Sequence, residues 1–156
     1  MKKTKLSSQT KLSGQGLVVV FILLAVIGGG LWYLYSNKAT TDREARVFAR
    51  ETVKRLTVDH DRQYLEAHLG PQAKMDLPPS GRDMMIQRFT QFGVPAQPIQ
   101  IDENVTWQSY FFEPSGIFMA HLNYPGQGAI LQLATSHPVS KWQIDNVTFT
   151  PQTPTR

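Results

Sequence analysis

From Leu17 to Tyr35 the chain carries no charged residue. Nineteen residues rising about 1.5 Å each reach roughly 28 Å as a helix, close to the hydrocarbon thickness of a bilayer. Trp32, Tyr33 and Tyr35 cluster at the far end, where amphipathic rings suit the headgroup layer. The near flank holds Lys2, Lys3, Lys5 and Lys11 and no acid, whereas the far flank mixes Lys38, Asp42, Arg43, Glu44 and Arg46. The positive-inside bias keeps such an N-terminus in the cytoplasm and sends the remainder across. Large aromatic residues follow Leu31, where a signal peptidase would need small ones, so a retained anchor is expected. Ala25 and Gly29 have the small-xxx-small spacing at which a second helix can approach closely.

The expected organisation is a cytoplasmic basic tail (1–15), a transmembrane helix (16–36), a linker (37–40), an exported domain (41–150) and a frayed tail (151–156). The chain has 16 Lys and Arg against 12 Asp and Glu. Four of the lysines precede the apolar run, so the part beyond it is charge-balanced and gives no sign of nucleic-acid binding. Without cysteine there are neither disulfides nor thiolate metal sites, and an exported domain must rely on packing.

Beyond the anchor the hydrophobic period is helical. Thr41-Asp-Arg-Glu44 reads as a capping box, with Ala45, Phe48, Ala49, Val53 and Leu56 forming one apolar stripe of a helix over 41–58. Asp42–Arg46 and Glu51–Arg55 stand at i,i+4 in the favourable order. A short helix follows, capped by Asp59 or Asp61 and stopped at Gly70-Pro71. Residues 75–83 read as a loop up to a third helix that begins at Ser80-x-x-Asp83 and ends at Gly93.

After Pro95 the period becomes two, with turns at "EPSG" and "PGQG". In the last strand Trp142 and Ile144 are out of phase with Val147 and Phe149, which predicts a bulge near Asp145-Asn146. The fold class is α+β: an N-terminal transmembrane helix, then about three helices packed on a curled antiparallel sheet of about four strands.

The Leu-Gly-Pro stop (Leu69 to Pro71), the Phe92-Gly93 break and the aromatic, alternating "KWQIDNVTF" resemble the nuclear transport factor 2-like (cystatin-like) cone over about Thr41 to Thr150. A single-pass anchor followed directly by such a domain resembles the inner-membrane assembly components of type IV secretion. The resemblance implies a bacterial inner-membrane protein with a periplasmic domain and a scaffold role, its partners being membrane lipid and other envelope proteins, with homo-oligomers open. "SGQGLVVVFILL" is also similar to the processing region of Flp-type pilins, although Val19 stands where a cut after Gly14 would place their glutamate. That implies a filament subunit as the alternative.

A cone of this type encloses a pocket, which as a further alternative would bind a small apolar ligand or act as an isomerase-like site, and Tyr64, Trp107, Tyr110, His121 and Asp145 are its candidate lining. His121 shares a strand face with Ile117 and Met119, and a His121–Asp145 acid/base pair would be the enzymatic version. A hydrogen-bonded core histidine and a surface aspartate is the simpler reading, so no enzyme, catalytic residue or cofactor is expected. The Asp59-His60-Asp61 triplet reads as helix capping rather than a metal site. Arg43, Arg46, Arg50 and Lys54 form a basic stripe on the first exported helix, a candidate docking surface for anionic lipid or an acidic partner.

Overall fold

The computed structural model describes residues 14–109, 112–138 and 141–152. The chain divides into two compact units, Met1–Lys38 and Ala39–Arg156.

The described residues of the first unit are helical. Helix α1 (Gly14–Thr57) begins here, and the large apolar side chains from Leu17 to Tyr35 are exposed, from 49% at Ile27 to 74% at Trp32 and Tyr35, with Leu34 half-buried. Its length and composition are compatible with a single-pass membrane anchor. A Cβ added to Gly28, Gly29 or Gly30 would meet nothing within 4 Å, so the Ala25–Gly29 face is open.

The second unit is α+β. The α1 residues belonging to it bury Ala45, Ala49, Val53 and Leu56, the stripe expected from the helical period. The residues read as a linker, 37–40, are helical, and the Thr41–Glu44 box lies inside α1 rather than at a helix start. The reason is that nothing between Tyr35 and Glu44 breaks a helix: there is no Gly or Pro, and a capping sequence does not itself end a preceding helix.

Helix α2 (Arg62–His68) starts where the Asp61 carboxylate accepts the Tyr64 amide at 2.9 Å. Two further helix starts differ from expectation. Helix α2 ends at a Leu69 cap and Pro71 opens α3 (Pro71–Asp76), and Pro79, not Ser80, opens α4 (Pro79–Phe92). Proline suits the first helical turn because its missing N–H would be unbonded there and its φ is already helical. Gly93 ends α4 at φ +82°, a backbone conformation that glycine adopts without strain.

Four antiparallel strands follow in simple meander order: β1 (Gln100–Ser109), β2 (Phe112–Tyr124), β3 (Gln127–Ser136) and β4 (Gln143–Gln152). The β2–β3 hairpin turns on Pro125-Gly126, with Gly126 at φ +86°. Phe118, Ala120, Leu122, Leu131, Leu133, Ile144 and Val147 face the helices and are buried. Between β3 and β4 the register shifts: Ala134 opposes Asn146 while Thr135 opposes Ile144, leaving Asp145 as the extra residue. This bulge, expected from the phase change in the sequence, puts Ile144 and Val147 on the same inner face.

Candidate functional site

Three places in the second unit gather chemistry-bearing side chains. The first is the edge strand β1. Glu103 stands in register with Ile101 and Val105, opposite buried Phe118, so it points towards the helices. Its carboxylate accepts Arg46 Nε at 2.9 Å and Arg50 Nη2 at 3.1 Å and is 16% exposed. Two members of the expected basic stripe therefore brace α1 against β1. Arg43 and Lys54 are exposed and form no ion pair among the described residues. Arg55 pairs with Glu51, as the i,i+4 spacing predicts, and with Asp61.

The second is a row of rings where α1 and α2 meet the start of β4. Tyr64 stacks on His68 at 4.1 Å, His68 meets Phe48 at 5.7 Å, Phe48 meets Trp142 at 6.2 Å and Trp142 meets His137 at 5.1 Å. The Tyr64 hydroxyl bonds the buried Thr52 hydroxyl at 3.1 Å. Burial raises the Tyr64 pKa above its ordinary value, and the Thr52 bond opposes that shift. His68 Nδ1 lies 2.9 Å from the Tyr64 carbonyl, which can only accept, so Nδ1 carries the proton of that bond. These rings join helix to sheet by apolar contact.

The third is a groove of about 330 Å³ between α4 and β4. Leu77, Gly81, Met84, Met85 and Arg88 form one wall. Val147, Thr148 and Phe149 form the other. Phe149 is held by edge-on contacts with Phe89 at 5.0 Å and Phe92 at 5.1 Å, which fix α4 over the strand. Met84 is 57% exposed. The Arg88 side chain forms no ion pair or hydrogen bond among the described residues.

The residues expected to line one pocket are not brought together. Tyr64 belongs to the ring row. Asp145 sits at the bulge and accepts a 2.9 Å bond from Gln143 Nε2. The side chain of Trp107 and all of Tyr110 lie outside the described residues. His121 does share a face with Ile117 and Met119, but that face is the outer one, where the two apolar residues are 43% and 42% exposed. There His121 Nε2 pairs with Asp102 Oδ2 at 2.9 Å rather than with Asp145. Strand β2 is apolar on both faces, so alternation alone could not say which set faces inward; burial against β3 and the helices decides for Phe118, Ala120 and Leu122.

Asp61 caps α2, while His60 adopts φ +52° with its Nε2 buried and unbonded among the described residues. The described residues contain no cluster of three His, Asp or Glu placed to hold a metal ion. Two residues that the sequence reading missed carried a signal in it. An acid in phase with Ile101 and Val105 marks an inward charge needing a basic partner, and Arg88 lies one turn beyond the Met84-Met85 pair. Compared with protein-family models, with curated proteins and with solved structures, the chain matches none.

Proposed function

We propose that this chain is a non-enzymatic, membrane-anchored assembly subunit of a bacterial envelope complex, with its α+β unit on the periplasmic side of the inner membrane. The observation that carries the reading is the run Leu17–Tyr35, whose large apolar side chains are almost all exposed. Such a surface in water is costly, and it matches a bilayer in length. The lysine-only N-terminal flank supports the orientation.

The test is protease treatment of spheroplasts expressing the full chain. Digestion of the α+β unit with survival of the lysine tail is expected; the reverse pattern overturns the topology. A pull-down of the intact chain against one with a foreign anchor then tests assembly. Loss of partners on the swap assigns the anchor a contact role, and their retention leaves it a tether.

One observation favours the pilin-like filament subunit as a second reading: residues 37–40 are helical and belong to α1. Mass spectrometry of the mature N-terminus separates the two. A chain beginning at Gln15 favours the filament subunit, and an intact N-terminus favours the anchored assembly subunit.

A further inference from the structure

The groove between α4 and β4 touches Val147, Thr148 and Phe149, three consecutive residues of one strand. In a strand, successive side chains point to opposite faces. Val147 and Phe149 oppose buried Leu133 and Leu131, whereas Thr148 opposes exposed Gln132. The groove therefore lies against Val147 and Phe149 on the inner side of β4 and meets Thr148 between them. The outer edge of this strand is free: β4 is last in the sheet, and among the described residues the backbone of that edge is paired only at Ile144, which bridges Leu69 and accepts the Gly70 amide. Pro151, which lacks an N–H, limits the usable edge at the other end. Residues 145–150 pair with β3 on one side only, and among the described residues no backbone group pairs with their outer edge.

We propose that this edge accepts an extended, apolar and acidic peptide segment of a partner protein, which adds to the sheet as a fifth strand. Three features match such a segment. Unpaired backbone groups of β4 supply the ladder. Met84 and Met85 offer a deformable apolar wall, with Phe149 on the opposite one, for alternate side chains. Arg88, without a partner among the described residues, supplies a charge that selects an acid. A second copy of this chain fits less well. The one acid in its β4 is Asp145, already bonded by Gln143, and it would bring a second Arg88. The inference rests on the assembly reading only in naming what kind of partner is held.

The experiment uses the full chain in nanodiscs and a fluorescent, valine-rich peptide of about eight residues with glutamate at alternate positions. Its control has lysine for glutamate. The glutamate peptide should bind and the lysine peptide should not. Arg88→Glu should weaken the glutamate peptide by about tenfold or more and admit the lysine peptide. Met84→Ser should weaken binding while leaving the charge preference. Hydrogen exchange should slow at 145–150 when the glutamate peptide is bound, with β2 and β3 unchanged as the check on folding. Absence of binding, equal binding of both peptides, an unaltered preference in Arg88→Glu, or protection elsewhere overturns the proposal. Because the nanodisc assay does not depend on topology, peptide binding with a cytoplasmic domain would retain the groove and reject the address; correct topology without binding would reject the groove.

Discussion

Glu103 reaches inward from the edge strand β1 and receives Arg46 Nε at 2.9 Å and Arg50 Nη2 at 3.1 Å from α1. An inward charge on an edge strand both fixes the helix over the strand and discourages pairing with another chain's edge. The arginines are 53% and 68% exposed, so solvent screens much of the attraction. Glu103→Gln should cost on the order of 1 kcal/mol by urea denaturation of the solubilised full chain, and less in high salt. A difference that is unchanged by salt would show that packing, not charge, dominates the contact.

Gly116 leaves space that Phe118 uses. A Cβ at this position would lie 2.5 Å from Phe118 Cε2 and 3.2 Å from Thr135 Oγ1. Phe118 is fully buried, so its ring has little room to retreat. Gly116→Ala should destabilise the domain by about 1–3 kcal/mol, as overpacking does. Thermal unfolding of the variant beside Gly93→Ala separates the two causes, because at Gly93 no atom lies within 4 Å of the added carbon and only its φ of +82° is strained.

Burial pushes the Tyr124 pKa up to about 12. Its hydroxyl is buried with no hydrogen-bond partner among the described residues. The folded state therefore holds this proton more tightly than the unfolded chain does. Its contribution is fully present below about pH 10, the unfolded value, and is lost as pH rises through the folded value. Tyr124→Phe should flatten part of the alkaline decline in stability; Tyr64, also raised, accounts for a remainder. At neutral pH the variant should be neutral or more stable by about 1 kcal/mol, since it removes an unbonded buried hydroxyl. A clear loss of stability at neutral pH would mean that the hydroxyl is bonded in solution.

Deleting Asp145 would remove the extra residue that brings Ile144 and Val147 to one face. With strict alternation restored, either Ile144 or the Val147–Phe149 pair must turn to solvent. The deletion should abolish the cooperative unfolding transition, whereas Asp145→Ala, which keeps the bulge, should lose only the Gln143 bond. Circular dichroism and urea titration of the two variants distinguish register from side-chain chemistry.

Much of this architecture was legible in the residues. The apolar run, the stripe Ala45–Leu56, the glycine stop at Gly93 and the bulge near Asp145 all follow from local periodicity or from the conformational range of glycine. The helix starts at Pro71 and Pro79 were less readable, since proline both ends and begins helices and only the surrounding chain path selects between them. The candidate site was the least legible part. His121 alternates with Ile117 and Met119 as expected, yet the partner within reach is Asp102 on the neighbouring strand.

Local sequence thus determined most of what each segment is: one helix greasy enough for a bilayer, a set of amphipathic helices, and four strands with the turn at Pro125-Gly126, whereas Glu113 to Gly116, read as a turn, lie within β2. These properties depend on charge, hydropathy and backbone freedom within a few residues. Tertiary structure alone decided which side of each strand faces inward, that Glu103 meets Arg46 and Arg50, and that Met84 and Arg88 share a groove with Val147, Thr148 and Phe149 of β4. Those outcomes depend on residues tens of positions apart being packed together, and no periodicity within one segment encodes its neighbour across the core.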